Sequence, residues 1–251
     1  MKIHRFIGPF DLTQKSLQIK DKEIVNQIKN VLRLKEGELV ELCDGKDISA
    51  MTEITKINKD SIDVLIEKIE QNKNKPKNEV SLFCAILKKE NFELVVQKAT
   101  ECGVSKIIPI ITARTIKTGL NTERLQKIAK EASEQSGRIN IPEISEPIEF
   151  KKVIEIVKGE SILFDASGEL TFEMHWEARR RQTEKISSKK FLCISNSNSP
   201  CSIWIGPEGG WTEEEITKAK LSDFKIASLG PLTLRGETAA IIATYLISNL
   251  C

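Results

Sequence analysis

The sequence predicts a two-domain protein: a small β-barrel followed by an α/β domain with a mostly parallel sheet. Three observations predict it. Residues 1 to about 70 hold short apolar runs broken by tight turns, the pattern of a small barrel. Residues 71–78 are polar, contain Pro76 and are almost devoid of apolar side chains, which marks a linker. From Val80 onward, strand-like apolar runs alternate with helical periodicity, the signature of a sheet covered on both faces. The domains are therefore expected at 1–72 and 79–251.

In the first domain, Leu39–Cys43 reads as a strand, with Asp44-Gly45 as the turn after it. Ile48–Ile57 alternates loosely, and Ser61–Ile66 is a further strand. A helix over Lys22–Leu32 interrupts them, with Ile24, Ile28, Val31 and Leu32 near helical spacing. In the second domain Val80–Ile86 is a strand. Asn91 is positioned to cap a helix whose Phe92, Val95, Val96, Ala99 and Cys102 share one face, and Gly103 ends it. Lys106–Ile111 is a strand whose Pro109 suggests an irregular or edge position. Asn121 caps a helix that runs to Gly137. A short helix near Phe150–Val157 ends at Gly159, and Ser161–Asp165 is the next strand. Residues 168–200 are polar and read as a long surface excursion. Thr212-Glu213-Glu214-Glu215 is a capping box, and the last helix carries Ala239, Ile242, Ala243, Leu246 and Ile247 on one stripe.

Composition narrows the function classes. The 251 residues are 40% hydrophobic and 29% charged, as in a globular protein with a real core. No apolar run is long enough to span a bilayer, and the start lacks the apolar stretch of a secretory signal. Net charge is only +2 and neither domain is strongly basic, so charge alone does not predict nucleic-acid binding. Six cysteines form no C-x-x-C pair, and His4 and His175 are the only histidines, so no metal site is expected. Reduced, mostly buried thiols in the cytoplasm are the expectation.

Two glycine-proline loops carry the chemistry. Ile205-Gly206-Pro207-Glu208-Gly209-Gly210-Trp211 follows the strand Ser202–Ile205. Leu229-Gly230-Pro231-Leu232-Thr233-Leu234-Arg235-Gly236-Glu237-Thr238-Ala239 follows a second strand and enters the last helix. Neither is a Walker or G-x-G-x-x-G motif. Singly, each is also an ordinary strand-to-helix turn. As a pair at the carboxyl ends of adjacent strands, they occupy the place where α/β sheets bind small molecules. Asp165-Ala166-Ser167-Gly168 faintly resembles the glycine-rich loop of ordinary Rossmann methyltransferases, but it is weak and late in the chain.

These two loops closely resemble those of the RsmE family, 16S ribosomal RNA methyltransferases of the SPOUT superfamily. More of the chain agrees: Val31-Leu32-Arg33 with Gly37, the helix end Lys98–Val104, Arg114, and Glu131–Arg138 with Pro142. The resemblance covers nearly the whole chain. It implies a PUA-like RNA-binding barrel and a SPOUT domain with a trefoil knot, an exception to the usual absence of knots. It also implies a cytoplasmic homodimer that uses S-adenosylmethionine to methylate N3 of uridine 1498 (standard bacterial numbering) in 16S RNA of the small ribosomal subunit. Cofactor contacts would come from Ile205, Gly206, Pro207, Glu208, Gly209 and Gly210 of the first loop. The second loop would add Leu229, Gly230, Leu232, Leu234, Thr238 and Ala239. The sequence departs from the family at Asn26, in the neighbourhood where a histidine is common, and at Gly236, where a larger residue is common.

Uracil N3 carries a proton and is a poor nucleophile until the proton leaves. Arg235, with its forked donors, suits the planar oxyanion that results. Glu237 either takes the proton or orients Arg235, and a plain helix-start ion pair is the alternative. Arg5, Arg33, Arg114 and Arg138 are candidate RNA contacts, with ordinary surface charge as the alternative. Trp211 either shields the loop or belongs to the core. Two further readings stay open: the same fold acting on another RNA position such as a ribose 2′-hydroxyl, and a non-catalytic RNA-binding factor of ribosome assembly.

Overall fold

The computed structural model describes residues 3–71, 76, 78–116, 118–168, 170–171 and 200–249. Most of the expected excursion at 168–200 lies outside the described residues, as do His175, Cys193 and Cys251. The chain divides into two compact units, Met1–Lys75 with Lys130–Ile141, and Pro76–Ala129 with Pro142–Cys251.

The first unit is built on strands β1 (His4–Ile7), β2 (Ser16–Ile19), β3 (Leu39–Cys43), β4 (Ile48–Ile57) and β5 (Ile62–Gln71), hydrogen-bonded in the order β1-β3-β4-β5-β2. All pairs are antiparallel except β1 with β3. The register of β4 on β5 shifts twice, at Met51/Thr52 and Ile54/Lys56, and such bulges bend a sheet around its own core. That core gathers Phe6, Ile19, Val40, Leu42, Ile54 and Ile62 with Ile24 and Ile28 of the intervening helical segment. The Asp44-Gly45 turn forms as expected: Asp44 Oδ1 accepts from the backbone N–H groups of Lys46, Asp47 and Ile48, and Gly45 takes φ +79°.

The helix expected over Lys22–Leu32 is α-helical only in α1 (Lys22–Asn26), capped by Asp21. It continues as a π-helical turn over Gln27–Val31. The extra residue in that turn delivers Leu32 and Arg33 off-axis, and Arg33 follows with φ +55°. Asn26 sits at this junction, and its side-chain oxygen accepts from Asn30 Nδ2.

Among the described residues, the second unit holds a sheet of eight strands. On its main path, β11 (Leu170–Thr171), β13 (Lys225–Ser228), β10 (Glu160–Phe164), β12 (Cys201–Ile205), β6 (Val80–Ala85), β7 (Lys106–Ile111) and β8 (Glu143–Ile144) follow one another, and β9 (Ile148–Glu149) also pairs with β7. Every pair in it is parallel, where a mostly parallel sheet was expected. Pro109 costs little because β8 covers Lys106–Ile107 and β9 covers Ile110–Ile111, leaving the proline in the gap between them. Trp204 anchors the core, stacked on Phe83 at 4.0 Å between centroids and packed edge-on by Phe150.

Helix α2 (Lys89–Glu101) starts two residues before the expected Asn91. Its N-cap is Lys88, with no side-chain hydrogen bond, so Asn91 is not the cap. Helix α3 (Thr122–Ser136) begins as expected, with Asn121 Oδ1 accepting from Arg124 N–H. The end of the expected linker is fixed rather than free: Asn78 is buried and donates to the Ile247 carbonyl. From β12 the chain forms the helix Glu213–Leu221, crosses to β13 beyond β10, and returns to lay the closing helix Gly236–Asn249 against α2 and β6.

Candidate functional site

The first loop begins where β12 ends, because Pro207 has no N–H to donate to the ladder and Gly206 weakens a strand. Gly210 N–H donates to the Pro207 carbonyl at 2.8 Å and Gly210 adopts φ +71°, closing a tight turn that places the loop backbone beside the sheet end. A Cβ on Gly206 would lie 3.0 Å from the indole of Trp211, so a larger residue there would press on that ring. Trp211 is 5% exposed and donates from Nε1 to the Phe164 carbonyl. It belongs to the core cluster, the second of the two expectations for it, and it also lines the cavity.

The second loop leaves β13 through Gly230, at φ +131°. Ser228 Oγ accepts from Gly230 N–H and donates to the Gly230 carbonyl. The closing helix then starts directly beside the first loop, since a Cβ on Gly236 would lie 3.5 Å from the Gly206 carbonyl oxygen and 3.0 Å from Leu87 Cδ2. The departure at Gly236 is thus matched to Leu87, which fills the space a side chain would take.

Between the loops lies a cavity of about 600 Å3, within the range of small-molecule sites. Ile205, Gly206, Pro207, Glu208 and Gly210 line it from the first loop. Leu229, Leu232, Leu234 and Ala239 line it from the second, together with Arg235, Gly236 and Glu237. Gly209, Gly230 and Thr238 are not among the residues that line it. Sequence reasoning missed Phe164, Asp165 and Ala166 at the end of β10, and Lys88 and Asn91 at the start of α2. The weak Asp165–Gly168 turn was the available signal, since β10 lies between β12 and β13.

The electrostatics of the cavity are mixed. Arg235 and Lys88 are exposed at its edge. Glu208 accepts from Lys88 N–H at 3.1 Å. Asp165 Oδ1 accepts from Ser167 N–H and Oγ, an Asx turn. Glu237 is 8% exposed, and its buried Oε2 has no hydrogen-bond partner among the described residues. Burial pushes the Cys84 thiol beneath the cavity upward, and the Glu208 and Glu237 charges add to it. A buried carboxylate oxygen without a donor is costly. The arrangement therefore suits a ligand that carries positive charge or N–H donors, with flat polar groups against the loop backbone.

The four arginines are placed differently. Arg33 is exposed. Arg5 is half-buried, with Nε and Nη2 on Glu41 at 2.9 and 2.5 Å. Arg138 is 7% exposed, and burial pulls its guanidinium down to about 10. Arg114 Nη1 donates to the carbonyls of Gly209 at 2.7 Å and Trp211 at 3.3 Å. Among the described residues there is no cluster of three or more His, Cys, Asp or Glu side chains able to hold a metal, and no helix long and apolar enough to cross a membrane.

An RNA methyltransferase domain family matches residues 73–248, and an RNA methyltransferase PUA domain family matches residues 19–67. The chain is 33% identical over 247 residues to a ribosomal RNA small subunit methyltransferase E of Rickettsia conorii, covering 97% of this chain and 94% of that protein. It is 31% identical to the protein of the same description in Bacillus subtilis, over 90% and 87% of the two chains. A crystal structure of a ribosomal RNA small subunit methyltransferase E from Neisseria gonorrhoeae, bound to S-adenosyl methionine, superposes with a TM-score of 0.80 at 26% identity, covering 98% of this chain and 97% of that one.

Proposed function

The chain belongs to the RsmE family of RNA methyltransferases, and on that premise we propose that it methylates N3 of uridine 1498 in 16S ribosomal RNA with S-adenosylmethionine. The observation that carries this reading is the cavity between the two loops, lined by Arg235 and by Glu237, whose buried Oε2 has no hydrogen-bond partner among the described residues.

The residues present fit the cofactor. Glycine at 206 and 210 brings bare backbone to the cavity wall for the polar edge of a flat base, and Leu232 and Leu234 offer apolar cover. Glu237, Glu208 and Asp165 supply negative charge toward a cationic ligand. When bound, S-adenosylmethionine supplies a methyl group already activated by its sulfonium, so no metal is required.

The chain's own residues do the rest. Arg235 donates to the uracil carbonyl oxygens and favours the N3 anion. Glu237 accepts the N3 proton on a carboxylate oxygen. Its alternative role, orienting Arg235, is disfavoured because the two form no ion pair among the described residues. The target base is presented unpaired, since N3 is inaccessible in a duplex.

Residues 1–72 act as the RNA-binding domain and 79–251 as the catalytic domain. Exposed Arg33 makes a phosphate contact, while Arg5 and Arg138 order the unit from within. The protein works as a cytoplasmic homodimer.

Nucleoside mass spectrometry of 16S RNA from a deletion strain tests the proposal. Loss of N3-methyluridine, restored by the wild-type gene, is expected. Undiminished N3-methyluridine overturns it, and loss of a ribose-methylated nucleoside instead identifies the other target. Calorimetry with S-adenosylmethionine addresses the non-catalytic reading, which absence of binding would favour.

A further inference from the structure

We propose that Arg114 is a positioning residue for the cofactor loop and not a contact to RNA. The inference rests on the reading of the Gly206–Gly210 loop as a cofactor wall.

Arg114 sits in the turn after β7, two strands away from β12, whose end carries the loop. Neighbouring strands lie about 4.8 Å apart, so a side chain must cross roughly 10 Å, over the end of β6, to touch the loop. Only a long side chain does this. The turn itself is braced: Thr115 Oγ1 accepts from Thr112 N–H at 2.9 Å and lies 2.9 Å from Thr112 Oγ1. From this base Arg114 Nη1 donates to the carbonyls of Gly209 and Trp211, at 2.7 and 3.3 Å. These carbonyls flank Gly210, the residue with φ +71° that lines the cavity. The arginine stem packs on the same loop, since a Cβ on Gly209 would lie 3.4 Å from Arg114 Cβ and Cδ.

A second tie runs beside the first. Glu215 is 6% exposed, and its Oε1 accepts from Ala113 N–H at 2.8 Å. Its Oε2 accepts from Thr212 N–H and Thr212 Oγ1, completing the capping box. Adjacent residues 113 and 114 thus hold the loop at both Gly209–Trp211 and Thr212–Glu215. The Arg114 tie spans 95 positions of sequence and the Glu215 tie 102. A loop fixed in this way is pre-ordered, which lowers the entropy lost when a ligand binds. Nη1, one of the three nitrogens of the guanidinium, is thus spent on the loop.

The test compares Arg114→Met, which keeps most of the stem and removes the donors, with Arg114→Ala and Arg114→Lys in the full chain. Affinity for S-adenosylmethionine is measured by calorimetry, affinity for a 16S fragment by filter binding, and KM and kcat with that fragment. We expect Arg114→Met to weaken cofactor binding about tenfold or more. KM for the cofactor rises more than kcat falls, RNA affinity stays within about twofold, and Arg114→Lys recovers part of the loss. Unchanged cofactor affinity in both Arg114→Met and Arg114→Ala overturns the inference, as does a loss confined to RNA affinity. Wild-type protein that binds no cofactor overturns the reading of the loop itself, a separate failure.

Discussion

Arg235 and Glu237 stand two residues apart at the start of the closing helix and both line the cavity, yet Arg235 is exposed while Glu237 is 8% exposed. The helix geometry separates them. The Arg235 carbonyl accepts the first helical hydrogen bond, from Ala239 N–H at 2.8 Å, so Arg235 is the cap and Glu237 lies within the first turn. A carboxylate there is favoured by the helix dipole even without a cationic partner.

This division predicts separable effects for the two side chains. Arg235→Ala removes an edge donor that no described residue uses, so cofactor affinity stays within about twofold. Turnover falls by about 100-fold or more, the range for losing an oxyanion donor. Calorimetry and a single-turnover methylation assay check both. Near-normal turnover excludes the proposed role.

Glu237→Gln is nearly isosteric and retains an oxygen acceptor, so the fold persists. Losing the base lowers turnover by about 100-fold or more. The double variant with Arg235→Ala shows whether the residues act as a unit, because the two losses then fail to add. Full additivity with small single effects argues for a structural role of Glu237.

The sequence made the loops legible because their conformations demand particular residues. Gly210 and Gly230 occupy positive φ, Asn121 caps α3, and Thr212 with Glu215 forms the capping box. What stayed hidden depends on strand order. Phe164 and Asp165 reach the cavity only because β10 lies between β12 and β13, and no local pattern encodes that. Asn91 has the chemistry of a cap, but α2 starts earlier and leaves it beside the cavity. The attachment of Lys130–Ile141 to the first unit was equally hidden, since the bond from Ile7 N–H to Glu134 spans 127 positions.

That same bond gives a pH prediction. Burial raises the Glu134 carboxyl above its ordinary range, against the lowering effect of the Ile7 N–H at 2.9 Å. A raised folded-state pKa means the native state holds the proton more tightly than the unfolded chain does. The associated stability is complete below the unfolded-state value and is lost as pH rises through the folded-state value. Glu134→Gln keeps an acceptor that does not ionise. Its Tm advantage over the wild type therefore grows from about pH 4 to about pH 8, around and above the ordinary glutamate range. Scanning calorimetry across that range checks it, and an advantage that shrinks with rising pH contradicts the assignment.

Gly168 ties the Asp165–Gly168 turn to the site. Asp165 N–H donates to the Ala227 carbonyl at 2.9 Å, which lays the turn against β13. A Cβ on Gly168 would lie 2.3 Å from the Ala227 carbonyl carbon, 2.6 Å from its oxygen and 2.7 Å from Ser228 N. Those are backbone atoms at the root of the second loop, so no side-chain rotation relieves the clash. Gly168→Ala therefore displaces either Asp165 or the start of the Leu229–Ala239 loop. Overpacking of this kind costs about 1–3 kcal/mol. In a domain of this size that corresponds to a fall in Tm of roughly 2–12 °C. Because both displaced segments line the cavity, cofactor affinity falls with stability. A variant that loses neither shows that the turn is free to move away from β13.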